Sequence, residues 1–385
     1  VNTPLPPTVV SESPRIGVMV CDDSSIIRGT FSRLLEEEPD FEVRASLPNG
    51  TLALRTLENV PPDQPIDVIL LDIEMPMMDG LTALPHLLAI DPSVQIIIAS
   101  AISPEQGRSS LKAINLGAKD FIPKPRNMRD ADSLDAFRQQ LVSRVRELGR
   151  SRRRLLGLPL PLLRQEANRK STAAPPPSQT ATTIPTRNRP LTRPQALAIG
   201  CSTGGPQALL SVLKALPYDR QLPLFVTQHM PATFTKIFAE QLSKSTAWPC
   251  DEATDGQSVS GGRIYMAPGD WHMLIQASSS GPHIALTRDP PENFCRPAVD
   301  PMLRSLSAVY GRGLLAVILT GMGSDGEKGC RIVAEAGGAV IAQDEATSVV
   351  WGMPGAAARS GVCSAVLPLP EIAPTLGRLL RGGAL

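Results

Sequence analysis

Short apolar runs recur through the first third of the chain at residues 16–21, 41–45, 68–71, 96–99 and 121–122. Each is nearly continuous and rich in β-branched residues, the pattern of strands buried on both faces. Between them, residues 25–37, 52–58, 81–90 and 105–116 place apolar positions at helical spacing, and residues 134–148 continue it. Strict strand–helix alternation predicts a doubly wound, five-stranded parallel sheet covered on both faces.

The alternation stops and then resumes. Residues 197–200, 224–227, 314–319 and 339–342 have strand patterns, and residues 207–216, 233–242 and 327–336 have helical ones. A second α/β domain with a mostly parallel sheet is expected. Within it, segments 263–267, 272–276 and 283–287 alternate apolar and polar positions between Gly, Ser and Pro, which predicts a β-hairpin insertion. The expected division is a tail at 1–14, an α/β domain at 15–149, a linker at 150–194 and a second α/β domain at 195–385.

Charge sharpens the linker. The 385 residues carry a net charge of +1, yet residues 144–193 alone hold twelve Lys/Arg and two Glu. That segment is therefore +10 and the remainder −9. A Pro-Pro-Pro run at 175–177 and a Ser/Thr/Gln tract in the same segment cannot bury a core. A solvated tether is the plain reading; a grip on acidic surfaces or RNA is the alternative, with weak, salt-sensitive binding.

Composition then narrows the function classes. Aromatics at 4% argue against base-stacking platforms, and the balanced charge gives no global pull toward nucleic acid. The six cysteines form no C-x-x-C pair, so neither a zinc ribbon nor a thioredoxin-type motif is expected, and scattered thiols suit a reducing cytoplasm. The first fifteen residues lack the apolar core of a signal peptide, and no 18-residue apolar run predicts a membrane span. A cytoplasmic protein that is not membrane-inserted is expected.

Carboxylates mark the first domain. Asp22 and Asp23 directly follow the first predicted strand and Asp72 the third, and strand carboxyl ends of a doubly wound sheet face one crevice. Three converging acids repel unless a cation sits among them, and oxygen-only ligands favour magnesium over zinc. Ser100 ends the fourth strand and Lys124 follows the fifth, adding a hydroxyl and a positive charge at that edge. The set can hold a phosphoryl group on Asp72. The alternative for Asp22 or Asp23 is an ordinary cap on the helix beginning near Ser24.

The second domain offers a nucleophile. Gly200-Cys201-Ser202-Thr203-Gly204 matches G-x-S-x-G at a strand-to-helix turn. Serine needs a base and the base an orienter; His229 follows the strand at 224–227, and Asp325 lies beyond the strand at 314–319. All three fall at strand carboxyl ends, as a hydrolytic triad requires. The order Ser, His, Asp differs from that of the α/β-hydrolases. A rival reading takes Gly321-x-Gly323-x-x-Gly326 as a dinucleotide turn with Asp344 on the ribose, but Asp325 would repel the pyrophosphate there.

The stretches VCDDSS, LLDIEMPMMDG, IIIASA and DFIPKP resemble the response-regulator receiver family. The resemblance implies that Asp72 accepts phosphate from a chemotaxis histidine kinase. It also implies Mg2+ held by Asp22, Asp23, Asp72 and the backbone carbonyl of Glu74, and phosphate sensing by Ser100, Lys124 and the switch aromatic Phe121. The stretches IGCSTGGP, TQHMP, MAPGDWHM, RPAVD, VILTGMGSDG and VWGMPGAA resemble the chemotaxis protein-glutamate methylesterase family. That implies a phosphorylation-regulated hydrolase acting on glutamate methyl esters, and on some glutamines, of methyl-accepting chemotaxis receptors. Ser202 takes the place of the nucleophile, His229 of the base, Asp325 of its orienter, and the Thr203 and Met322 amides of the oxyanion hole. Ester cleavage then needs no cofactor, His272 is structural or substrate-facing, and inhibition by docking is relieved on phosphorylation. The alternative is a receiver controlling a non-catalytic interaction module on an esterase scaffold.

Overall fold

A computed structural model of the chain describes residues 14–101, 103–125, 131–161 and 193–383. The N-terminal sheet has five strands: β1 Ile16–Cys21, β2 Phe41–Leu47, β3 Val68–Asp72, β4 Gln95–Ser100 and β5 Asp120–Pro123. Their spatial order is β2-β1-β3-β4-β5, so the direction of winding reverses between β1 and β3. β1, β3 and β4 are buried throughout, because helices on both faces leave no residue of a central parallel strand to solvent.

The helices are α1 Ser25–Glu36, α2 Gly50–Glu58, α3 Gly80–Ile90, α4 Pro104–Asn115 and α5 Ala131–Leu155. Four start on side-chain caps: Ser24 accepts from the Ile27 amide, Asn49 from Leu52, Asp79 from Thr82 and Ser103 from Gln106. The cap of α1 is thus Ser24 itself rather than Asp22 or Asp23.

α5 runs well past residue 149, where the linker was expected to begin. Asp67 is fully buried and accepts from Arg152 Nη1 and Arg153 Nε, both at 2.8 Å, and from the Gly17 amide at 3.0 Å. Arg152 also reaches Asp91 at 2.6 Å, and Arg150 donates to the Pro161 carbonyl at 2.9 Å. Part of the basic charge attributed to a tether therefore neutralises the buried Asp67 and the half-buried Asp91. The rest of the expected linker, residues 162–192, and the tail at 1–13 lie outside the described residues.

The C-terminal sheet has seven strands, all parallel in their pairing. They are β6 Ala196–Cys201, β7 Pro223–Gln228, β8 Cys250–Glu252, β9 Arg263–Met266, β12 Leu314–Ile318, β13 Ala339–Gln343 and β14 Ala365–Leu367, in the order β14-β13-β12-β6-β7-β9-β8. β10 His272–Gln276 and β11 His283–Thr287 form a separate antiparallel hairpin. The segment near 263, expected in the hairpin insertion, instead pairs with β7 through Leu224↔Ile264 and Phe225↔Tyr265. Its short alternating pattern matched an exposed hairpin, but three of its four residues are buried.

The helices of this half are α6 Gly205–Ala215, α7 Ala232–Ser245, α8 Val299–Tyr310, α9 Glu327–Glu335, α10 Met353–Arg359 and α11 Leu369–Leu380. Its core unites the two substructures: Met273, Ile275 and Ile284 of the hairpin join Phe225, Tyr265, Leu303 and Leu306 in one buried cluster.

Candidate active site

The seven-stranded sheet reverses its winding at β6, which lies between β7 and β12. Loops leaving the carboxyl ends of such strands diverge and open a crevice. Ser202 follows β6, His229 follows β7, and Asp325 lies in the loop after β12. Cys201 pairs with Gln228 in the β6–β7 register, so Ser202 and His229 occupy the next positions on adjacent strands. The His229 amide donates to the Cys201 carbonyl at 3.2 Å, and the Ser202 amide to the Thr320 carbonyl at 3.1 Å. Backbone hydrogen bonds thus tie the serine's turn to both neighbours.

Glycines make the turn passable. A Cβ on Gly321 would lie 2.9 Å from Ser202 Cβ and 2.4 Å from Met353 Sδ, so only glycine lets the loop after β12 cross the serine. Gly323 and Gly326 have φ of 82° and 93°, which glycine tolerates without penalty. Each glycine of the G-x-G-x-x-G pattern therefore has a local reason, and the dinucleotide reading gains nothing from it. Thr203 sits in the turn between Ser202 and α6, its carbonyl accepting from Thr320 Oγ1 at 3.0 Å; Met322 lies between Gly321 and Gly323.

His229 Nε2 lies 2.8 Å from Asp325 Oδ2. Asp325 is buried, and three further donors converge on its carboxylate: the Val299 amide at 2.6 Å, the Asp300 amide at 3.1 Å and Asn293 Nδ2 at 3.0 Å. The two amides open α8, whose positive end favours an anion. Burial opposes the charge, but the imidazole and these donors outweigh it and hold the carboxyl below its usual range. The other imidazole nitrogen, Nδ1, lies 3.4 Å from Cys295 Sγ. Among the described residues no hydrogen bond joins Ser202 Oγ to His229.

Sequence reasoning missed Asn293, Cys295 and the head of α8. The Arg296-Pro297-Ala298-Val299-Asp300 stretch was noted without a role; a Pro-led helix start followed by an acid is the local signal it carried. His272 is buried, its Nδ1 accepting from the Ala298 amide at 3.2 Å and its Nε2 3.2 Å from the Pro290 carbonyl. Both nitrogens fasten this same segment. Cys201, beside the serine, is buried and its thiol is pushed far up by desolvation.

In the N-terminal sheet, Asp22, Asp23 and Asp72 each bring a carboxylate oxygen within 4.8 Å of the others. Asp22 and Asp72 are buried and Asp23 is exposed. Asp22 Oδ1 accepts from the Ser24 amide at 2.9 Å and Asp72 Oδ1 from the Ile73 amide at 2.8 Å. Glu74 lies two residues beyond Asp72, in a loop tightened by the bond from the Gly80 amide to the Ile73 carbonyl at 2.8 Å. The Lys124 amide donates to the Ser100 carbonyl at 2.8 Å, which places these two residues at adjacent strand ends. The Ser100 hydroxyl lies 2.9 Å from that of Ser110 on α4, and Phe121 is buried on β5.

Residues 197–376 match the family model described as CheB methylesterase, and residues 18–133 match the response regulator receiver domain. A Rhodospirillum centenum protein named protein-glutamate methylesterase/protein-glutamine glutaminase of group 2 operon is 50% identical over 94% of this chain and 93% of its own. A Paramagnetospirillum magneticum protein named protein-glutamate methylesterase/protein-glutamine glutaminase 1 is 49% identical over 94% of this chain and 96% of its own. The crystal structure of the Thermotoga maritima CheB methylesterase catalytic domain is 40% identical, covers 48% of this chain and 98% of that one, and has a TM-score of 0.47. With a receiver domain ahead of a methylesterase domain, and near-full-length likeness to such enzymes, the chain belongs to the protein-glutamate methylesterase/protein-glutamine glutaminase family.

Proposed function

We propose that this chain hydrolyses glutamate methyl esters on chemotaxis receptors, and deamidates certain receptor glutamines, under control of phosphorylation at Asp72. One observation carries the reading: an imidazole whose side chain is only 9% exposed, with Nε2 on a buried carboxylate, stands opposite a serine just past the last paired residues of β6 and β7, at the switch point of the sheet.

With Nε2 committed to Asp325, Nδ1 is the nitrogen that takes the Ser202 proton. Ser202 Oγ attacks the ester carbonyl while His229 Nδ1 accepts its hydrogen, and Asp325 stabilises the imidazolium that results. The proton then goes to the departing methoxide, which leaves as methanol. Water attacks the glutamyl-enzyme with His229 again as base, returning the carboxylate and free serine. For a glutamine substrate the leaving group is ammonia. The Thr203 and Met322 amides are the oxyanion donors in this reading, each worth about 3 kcal/mol by analogy with other acyl-transfer enzymes. The names of the curated relatives favour hydrolysis over a non-catalytic scaffold.

In the receiver, three carboxylates with oxygens within 4.8 Å suit a hard divalent cation. Asp22, Asp23, Asp72 and the Glu74 carbonyl would hold Mg2+, whose charge would offset that of a phosphoryl group. Asp72 takes the phosphoryl from a histidine kinase, and Ser100, Lys124 and Phe121 register it.

Ser202→Ala is expected to abolish methanol release from methylated receptor and labelling by a fluorophosphonate, while Asp72 still accepts phosphate. Full esterase activity in that variant would reject the serine mechanism.

A further inference from the structure

Residues 292–295 form a two-residue hairpin turn at the site. The Glu292 amide donates to the Cys295 carbonyl at 3.1 Å, and the Cys295 amide to the Glu292 carbonyl at 2.8 Å. The central residues Asn293 and Phe294 have φ of 51° and 62°, as a type I′ turn demands. Asn tolerates that region; for Phe it is an outlier, and this ring is 95% exposed. The turn is held from outside itself, by Arg304 on both Glu292 oxygens at 2.8 and 2.5 Å and by His272 on the flanking Pro290 and Ala298.

Two side chains of this turn, Asn293 and Cys295, reach the two members of the base pair. Cys295 Sγ lies 3.4 Å from His229 Nδ1. Asn293 Nδ2 donates at 3.0 Å to Asp325 Oδ1 and at 3.0 Å to Asp300 Oδ2. We propose that the Glu292–Cys295 turn is a positioning element of the active site, in which Cys295 holds the general base through Nδ1 while Asn293 fixes the carboxylate that orients it. The proposal rests on the serine mechanism above.

The chemistry turns on one ring nitrogen. Nε2 is taken by Asp325, so Nδ1 alone can receive the serine proton, and a sulfur now sits against it. Titratable groups facing His229 are Asp325, from the loop after β12, and Cys295, from this turn; Asp300 at the head of α8 and Glu292 of the turn act on Asp325 from behind. Burial disfavours the imidazolium, but Cys295 and Asp325 together overcome it and lift the imidazole to about 10. Accepting from the Nδ1–H of the imidazolium, the Cys295 sulfur steadies the protonated base after the transfer and delays its deprotonation before it. Of the six cysteines the other five are buried, and Cys295 is the partly exposed one.

The second-order rate of fluorophosphonate labelling at Ser202, measured against pH on the full-length protein, tests this without a known receptor. In the wild type the rate should rise with pH as the imidazole loses its proton. Cys295→Ala should move that limb down by at least about one pH unit, making labelling near neutral pH roughly tenfold faster. A merely structural role would slow labelling and leave the limb in place. Superimposable limbs overturn the role of Cys295. If Cys295→Ala does not fold, Cys295→Ser should give a smaller shift of the same sign, and no shift overturns the role equally. Asn293→Leu should lower the maximal rate at least about tenfold, and an unchanged maximum overturns that half. Labelling that persists in Ser202→Ala, or is absent from the wild type, rejects the serine mechanism itself; a responsive Ser202 with an unmoved limb rejects only the turn's role.

Discussion

Replacing Asp325 by Asn tests the orienting role with almost no change of shape. The carboxylate accepts four hydrogen bonds: His229 Nε2 and the Val299 amide on Oδ2, Asn293 and the Asp300 amide on Oδ1. An amide keeps one accepting oxygen and sets an NH2 where the other stood. In either place the NH2 confronts an amide of α8, that of Val299 at Oδ2 or of Asp300 at Oδ1, donor against donor, at about 1–3 kcal/mol for each buried group left unpaired. If it faces His229, the imidazole must turn its Nε2 lone pair toward it and carry its proton on Nδ1, the atom that has to be empty to take the serine's proton. In that placement the base is lost, and in the other the imidazolium loses the negative charge that stabilises it, while the site keeps its outline. By analogy with triads of other folds the rate should fall about 10⁴-fold, equivalent to about 5.5 kcal/mol of barrier. Methanol release from methylated receptor, with thermal unfolding measured beside it, gives the answer. A folded Asp325→Asn protein within tenfold of wild type would refute the assignment of both the orienter and the working nitrogen.

Two glycine substitutions separate crowding from backbone strain. Gly321→Ala drives a methyl group to 2.9 Å from Ser202 Cβ, and labelling of Ser202 should drop about 100-fold; Gly323→Ala, with open space around it but φ of 82°, should cost about 1 kcal/mol of stability and leave the rate within a few-fold. Equal rates in the two variants would refute the steric account. Asp67→Ala takes the carboxylate from Arg153 and leaves Arg152 with Asp91 alone, and should destabilise the receiver by about 3–5 kcal/mol in urea unfolding, with under 1 kcal/mol refuting the ion-pair cluster as a fold element.

Much of this architecture was legible because parallel sheets write themselves plainly: continuous apolar strands such as 16–21 and 314–319 fall where expected, within a residue or two. The acids at 22, 23 and 72 were legible because winding order alone brings strand ends together. What escaped depended on partners distant in sequence. Arg152 and Arg153 look like solvent-facing linker charges until Asp67, some eighty residues earlier, is seen buried beneath them. Segment 263–267 looks like half of a hairpin because four residues of alternation cannot reveal whether the neighbour is β7 or β10. Asn293 and Cys295 were hidden for a third reason: their positive-φ turn carries no glycine, so the usual mark of such a turn is missing.

The seven-stranded sheet tapers at both margins, since β8 and β14 are only three residues long. A β-sheet ends in unpaired amides and carbonyls that invite another molecule's strand, and the invitation scales with the length of the outermost strand. Here that outer row is too brief to template a neighbour. An enzyme built on a seven-stranded hydrophobic sheet is thereby shielded from pairing edge to edge with its own copies.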